Sequence, residues 1–271
     1  MNPFTVLITG ASSGIGLELA RCFAADGHAL VLTGRNEETL EAIAAELRRE
    51  QGVAVTAFLA ELGTAEGITR LLDQLRGAGL EIDVLVNNAG FGLHGNFLDA
   101  PPAADAALTT VHVLAPLRLT KALLPAMVQR NRGGVLNLGS LYSFSTAPWQ
   151  SLYGAAKSWI LSFSLALREE LQGTNVTITA LCPGPTLSRF RTRSGHRDRA
   201  SWMTMTSAEV AAAGYRGFRR GRAVVVPGFA SKLYVLGTRL LPTAWLGRYV
   251  HYTAYRLRRM PQSVTPGETK S

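Results

Sequence analysis

The sequence predicts an α/β fold: a single doubly wound domain with about seven parallel strands and helices on both faces of the sheet. Three observations predict it. Short β-branched runs alternate with longer segments of helical period, the pattern of strands joined by crossover helices. The first of these runs feeds a glycine-rich turn that opens a helix. The chain has 271 residues, 47% of them hydrophobic and 17% charged, which is enough to bury one large core and too apolar for a disordered chain.

In chain order, strands are predicted at 5–9, 29–33, 54–59, 84–87, 135–139, 177–181 and 223–226. Helices are predicted at 14–25, 37–50, 65–77, 103–130, 152–172 and 207–218. There is no internal repeat. No apolar run is expected to reach the length of a membrane-spanning helix. Val6-Leu7-Ile8 runs straight into the glycine turn, so the start of the chain reads as a first strand rather than a signal peptide. Cys22 falls in a predicted helix and Cys182 at a strand end, which reads as two buried free thiols in a reducing, cytoplasmic setting. The five histidines are scattered and no residues have metal-ligand spacing, so no metal is expected.

Ligands of such sheets bind beyond the carboxyl ends of the strands, so the turns that follow strands carry the chemistry. The first turn is Thr9-Gly10-Ala11-Ser12-Ser13-Gly14-Ile15-Gly16. Gly10 permits the tight turn, Gly14 lets the backbone approach a pyrophosphate, and Gly16 lets the helix pack on its strand. The second strand ends at Thr33-Gly34-Arg35. A carboxylate in place of Gly34 would grip the 2′-hydroxyl of an NAD ribose; the arginine beside it suits a 2′-phosphate instead. Further on come Ser140, at the end of the fifth strand, and Tyr153 and Lys157, one turn apart on a helix. An ammonium beside a phenol favours the phenolate, so the tyrosine pKa is expected to fall toward working pH and the group to serve in carbonyl–alcohol proton transfer.

These motifs, with Asn87-Asn88-Ala89-Gly90 and Pro183-Gly184, occur in the order found in short-chain dehydrogenases/reductases, and the chain resembles that family from residue 4 to about residue 228. The resemblance implies a Rossmann-type catalytic domain over 1–228, with a lid at about 186–208, and NADP(H) as cofactor. It implies that Ser140, Tyr153 and Lys157 are catalytic and that Lys157 also holds the nicotinamide ribose. It implies a cofactor site built from Gly10, Ser12, Ser13, Gly14, Ile15, Gly16, Arg35, Glu61, Leu62, Asn88, Ala89, Gly90, Pro183, Gly184, Thr186 and Ser188. Ser188 stands where the family usually has threonine, and Glu61 where it usually has aspartate. The fourth catalytic position, an asparagine thought to hold a water on a proton path from the lysine, is here His112, which can also donate and accept hydrogen bonds.

The substrate is less legible. Phe91, Leu93, Leu141, Phe144 and Trp149 follow strand ends, and Trp202, Met203 and Met205 fall in the lid. They favour a bulky apolar ketone or secondary alcohol of steroid-, retinoid- or acyl-like character, although some will be ordinary core. The lid is also basic, with Arg189, Arg191, Arg193, Arg197 and Arg199. A 3-oxoacyl reductase is the neighbouring alternative; a non-catalytic NADP-binding sensor or scaffold is the alternative of another class, favoured by His112 alone.

Charge is unevenly spread. Residues 1–185 carry 12 Lys+Arg against 16 Asp+Glu, and residues 186–271 carry 16 against 3, within a net charge of +9. A helical extension is predicted over 229–260, with one helix at 230–241 and another at 243–259 split by Pro242, followed by a disordered tail at 261–271. In the second helix Trp245, Leu246, Tyr249, Val250, Thr253 and Leu257 share one side, flanked by Arg248, Arg256, Arg258 and Arg259. Such a basic amphipathic helix fits peripheral contact with the inner face of a membrane; a cover over the cleft or a homo-oligomer contact fits it too. No nucleic-acid recognition motif accompanies the charge.

Overall fold

The computed structural model describes residues 3–187 and 202–241, together with 245, 247, 248 and 252. Its strands are β1 (Thr5–Thr9), β2 (Ala29–Gly34), β3 (Val55–Leu59), β4 (Val84–Asn87), β5 (Gly134–Leu138), β6 (Thr177–Leu181), β7 (Thr186–Leu187), β8 (Met205–Thr206) and β9 (Val224–Val225). Its α-helices are α1 (Gly14–Ala25), α2 (Glu37–Gln51), α3 (Ala65–Gly77), α4 (Pro102–Thr109), α5 (Ala115–Gln129), α6 (Ser151–Glu170), α7 (Ser207–Arg219) and α8 (Phe229–Leu240). Seven strands form one parallel sheet in the order β3-β2-β1-β4-β5-β6-β9. The order reverses between β1 and β4, the point where sheets of this kind form a crevice at their carboxyl ends.

Alternate strand residues feed two cores, as the period of an extended chain requires. Val6, Ile8, Leu30, Leu32, Val84 and Val86 pack toward α1, α2 and α7, around Phe23, Leu40 and Phe218. Leu7, Val31, Leu85 and Val135 pack the other way, against Leu71 and Leu75 of α3 and Leu119 and Met127 of α5. The Phe23 ring of α1 meets Tyr215 of α7 edge-on at 4.7 Å. Past the end of α1, Asp26 Oδ2 accepts from the Tyr215 hydroxyl at 2.5 Å and from Arg219 Nη1 at 2.6 Å.

Two polar clusters fix the sheet. At its amino end the buried Asp83 accepts from Thr5 N (3.1 Å) and Arg132 Nη2 (2.9 Å) and pairs with Arg130 at 3.3 Å. Across its middle, Asn87 Nδ2 donates to Asn137 Oδ1 (2.8 Å), and Asn137 Nδ2 donates to Ser164 Oγ (2.9 Å). This buried chain ties β4 and β5 to α6, and each link is costly to leave unmade.

The structure corrects two expectations. The helix expected over 103–130 is broken by a π-turn at Thr110–Leu114, between α4 and α5. Pro116 lacks the N–H that would bond the carbonyl four residues back, so regular winding fails there. The stretch Pro102–Gln129 is also apolar and long enough to pass as a membrane span by length and composition, contrary to expectation. Here it is a core helix, burying Leu108, Val111, Ala115, Leu119 and Met127 in the domain. The lid at 186–208 is pinned at its roots: β7 pairs with β8, and Ser207 Oγ donates to Leu187 O at 2.9 Å. The lid arginines and Ser188 lie outside the described residues. So do Leu246, Tyr249, Val250, Thr253, Leu257, Arg256, Arg258 and Arg259 of the second tail helix, and the tail at 261–271.

Candidate active site

The glycine turn lies at the crevice. Gly10 and Gly14 adopt φ of 67° and 61°, in the left-handed region that favours glycine. The Asn88 side chain reaches across from β4 to donate to Thr9 O (2.8 Å) and Gly10 O (3.1 Å). Thr9 Oγ1 in turn accepts from Asn88 N and Ala89 N at 2.9 and 3.0 Å. A Cβ on Gly16 would run into the Asn88 amide and the Gly10 carbonyl. Gly16 therefore makes room for this brace, a closer role than the helix–strand packing expected of it. Ser13 occupies the N-cap of α1 but its side chain makes no cap hydrogen bond, whereas Asn36 caps α2 at 2.7 Å. The first-turn amides of α1 thus suit a pyrophosphate, and the cradle fits a dinucleotide.

Arg35 follows β2 and is exposed. Its Nη1 is 3.5 Å from Glu61 Oε2, so two residues expected to touch the cofactor separately touch each other. Leu62 beside them is buried. Beyond β6, Pro183 O accepts from Leu141 N (3.0 Å), and Thr186 Oγ1 donates to Gly184 O (3.0 Å). A Cβ on Gly184 would lie 2.6 Å from Ser231 Oγ, so this glycine admits α8.

Ser140, Tyr153 and Lys157 come together at the carboxyl end of β5. Ser140 opens a one-turn 3-10 helix, Leu141–Ser143, and its Oγ accepts from Tyr142 N at 3.2 Å. Its hydroxyl hydrogen-bonds Tyr153, which favours the phenolate. Burial is the larger effect and pushes the Tyr153 pKa up, contrary to the fall expected from Lys157. The lysine is spent differently: its Nζ lies 5.5 Å from the Tyr153 ring centroid and donates to Leu138 O at 2.6 Å. Desolvation pushes Lys157 down to about 8, so it titrates just above neutrality.

His112 lies in the π-turn, edge-on to Tyr153 at 5.3 Å and over Gly90, where any Cβ would strike its ring. Burial and the Lys157 charge push its pKa down to about 3, so it is neutral. Its Nε2 is 2.7 Å from Phe91 O and 3.3 Å from Phe91 N. The shorter contact needs Nε2–H as donor, and the same nitrogen cannot then accept from the amide. An asparagine amide would serve both. Pro116 has no N–H to offer the His112 main-chain carbonyl, so the usual bond four residues on is not made there.

Two features escaped the sequence reading, at Ser143 and Trp149, while the buried Cys182 thiol was expected from its place at a strand end. Ser143 Oγ accepts from Ser140 N (3.2 Å) and donates to Lys157 O (2.6 Å), joining the serine turn to the helix that carries Tyr153 and Lys157. Cys182 is buried behind them, 2.6 Å from where a Cβ of Gly139 would stand, and desolvation pushes its thiol up to about 12. Trp149 takes φ 66°, a strained value for so large a residue, while its carbonyl accepts from Gly95 N at 2.9 Å. Only Ser143 left a signal, a serine three residues after another at a turn. Of the expected cleft wall, Leu141 is buried, and Phe91 and Phe144 pack on core clusters. Leu93, Trp149, Met203 and Met205 are half-buried and Trp202 is exposed.

A family model described as short chain dehydrogenase matches residues 4–199. Among curated proteins the chain is similar to dehydrogenase/reductase SDR family member 7B of Bos taurus, with 39% identity over 187 residues. That match covers 66% of this chain and 57% of the relative, so it spans little more than half of the relative's length. Among solved structures it is similar to a short-chain dehydrogenase from Sphingobium yanoikuyae in complex with NADPH, with 32% identity, a TM-score of 0.79 and coverage of 99% and 100% of the two chains. It is similar too to a bulky-bulky ketone specific alcohol dehydrogenase from Comamonas testosteroni, with 28% identity, a TM-score of 0.76 and 98% coverage of each chain.

Proposed function

The chain belongs to the short-chain dehydrogenase/reductase family, whose members use nicotinamide cofactors, and on that premise we propose that it is an NADP(H)-dependent carbonyl reductase or alcohol dehydrogenase acting on a bulky apolar ketone or secondary alcohol. The observation that supports this reading is the meeting of Ser140, Tyr153 and Lys157 at one buried point beside the glycine turn. Arg35, with no acid at position 34, supports the phosphorylated cofactor, as does the NADPH bound in the Sphingobium relative. The Comamonas relative, with its printed specificity for bulky ketones, and the apolar residues around the cleft support the substrate class.

When bound, the cofactor would supply the hydride that adds to the carbonyl carbon. Ser140 holds the carbonyl oxygen. The Tyr153 phenol, kept protonated by burial, gives its proton to that oxygen as the C=O electron pair moves onto it. Lys157, largely charged at neutral pH, stabilises the phenolate that remains. A protonated phenol at rest suits reduction better than oxidation.

The second reading, a non-catalytic NADP-binding sensor, draws on His112 and its single bonding nitrogen. One experiment separates the two. NADPH oxidation over a panel of bulky apolar ketones is expected to show turnover, which Tyr153→Phe abolishes while leaving NADPH binding nearly intact. Arg35→Ala is expected to weaken NADPH, but not NADH, by about 1.5–3 kcal/mol. Turnover by Tyr153→Phe would remove Tyr153 as the proton donor, and no turnover by the parent chain on any ketone would favour the sensor.

A further inference from the structure

Helix α8 packs one face on the candidate site and leaves the other bare. Its inner face buries Ser231 against Gly184, and Tyr234 donates to Ser145 Oγ at 2.8 Å, just beyond the Ser140 turn. At its start, a Cβ on Gly228 would lie 2.9 Å from Met205 Sδ at the lid root. The helix therefore forms part of the rim of the cleft. On its outer face, Phe229, Leu233, Leu236 and Leu240 are 82%, 53%, 52% and 74% exposed. Their spacing of four, three and four residues sets all of them in one narrow stripe. Lys232 and Arg239 are exposed along one flank of that stripe. Trp202, 78% exposed at the lid root, is a further bare aromatic in the same part of the chain.

We propose that α8 lies flat on an anionic lipid surface, with its apolar stripe in the acyl–headgroup boundary and its cations at the headgroups. The mouth of the cleft is then held against the bilayer, and an apolar ketone reaches Tyr153 without crossing bulk water. The docking stands on the stripe and the charge; only the route of the ketone rests on the proposed reductase. The observations favour lipid over a protein cover because of sign. Residues 186–271 carry 16 Lys+Arg against 3 Asp+Glu, so a second copy docking through the same face would set cations against cations. The chain beyond α8, residues 242–271, carries 5 Lys+Arg against 1 Asp+Glu and offers Lys232 and Arg239 no complement. Anionic headgroups supply the missing sign.

The test is co-sedimentation of the full chain with vesicles of phosphatidylcholine alone, or of phosphatidylcholine with phosphatidylserine, at about 50 and about 500 mM salt. Binding is expected on the anionic vesicles at low salt, and at least about tenfold weaker on neutral vesicles or at high salt. Leu233→Asp with Leu236→Asp is expected to weaken vesicle binding about tenfold or more while leaving circular dichroism, NADPH binding and reduction of a water-soluble ketone unchanged. If the doubly substituted chain misfolds, Lys232→Glu with Arg239→Glu serves instead and is expected to remove the preference for anionic lipid. The proposal is overturned if the full chain stays in the supernatant with anionic vesicles at low salt. It is equally overturned if properly folded variants bind as the parent does, or if light scattering shows a dimer that the aspartates dissolve and that never binds lipid. Vesicle binding without ketone turnover would leave the docking standing and sink only the reductase.

Discussion

The two ends of the sheet bury ionisable groups in opposite ways. At the amino end Asp83 is surrounded by partners: Thr5 N, Arg132 and Arg130 all address its carboxylate. At the carboxyl end Tyr153, Lys157 and His112 are buried, and desolvation is the leading cause of every shift. A charge that is matched when it is buried serves stability. Burial that moves such groups off their ordinary pKa values suits them to proton transfer, and the fold bears the cost. Substitutions at the amino end should thus change stability without changing turnover, and those at the carboxyl end should change turnover and the pH dependence of stability.

The largest expected effect breaks the amino end. Asp83→Ala leaves Arg130 and Arg132 facing a buried void, and should lower unfolding free energy in urea by about 3–5 kcal/mol. Wherever the variant remains folded, kcat and KM should match the parent; a drop in kcat would mean that the two ends are coupled.

The next sharpens the carboxyl end by pH. His112 is held near pKa 3 in the fold against an ordinary 6.5, so the unfolded chain binds the extra proton first as pH falls. Stability should therefore be full above about 6.5 and decline as the pH drops toward 3, by about 2 kcal/mol at pH 5. His112→Asn should flatten that decline in denaturant titrations from pH 7 to 5, and an unchanged slope would remove His112 as its source. Lys157 acts at the other extreme. Its depressed pKa of about 8 penalises folding at and below that pH, so stability should rise as the pH passes from 8 toward 10.5.

The smallest effect tests how the carboxyl end is held. Ser143→Ala removes the bonds to Ser140 N and Lys157 O while touching no reacting atom. It should cost about tenfold in kcat, the equivalent of about 1.4 kcal/mol, with the NADPH dissociation constant within about twofold of the parent. Ser143→Thr should recover part of the loss; equal losses in kcat and cofactor binding would indicate general damage instead.

The sheet was legible because its strands are short apolar runs rich in β-branched residues, and β1, β4 and β6 fall at their predicted bounds. The glycine turn and the Tyr153–Lys157 spacing were legible because both depend on local geometry. What the sequence hid depends on depth and on chain reversal. Helical spacing brings Lys157 to the neighbourhood of Tyr153 but cannot say that both lie at or below 9% exposure, where burial outweighs the ammonium. The π-turn hid because residues 103–130 keep a helical pattern and a proline near a helix start is unremarkable in sequence. Ser143 meets the Lys157 carbonyl 14 residues on only after the chain has turned back, and nothing local marks Trp149 for a positive φ.

The clasp between α1 and α7 has a consequence in time. Phe23 and Asp26 find Tyr215 and Arg219 across 189 to 193 residues of chain. At about 5–20 residues per second of synthesis, α1 waits about 10–40 s for its partner to be made. Through that interval the face bearing Phe23 has no cover from α7, whatever the rest of the sheet has achieved. A chain truncated before Ser207 never acquires that cover at all.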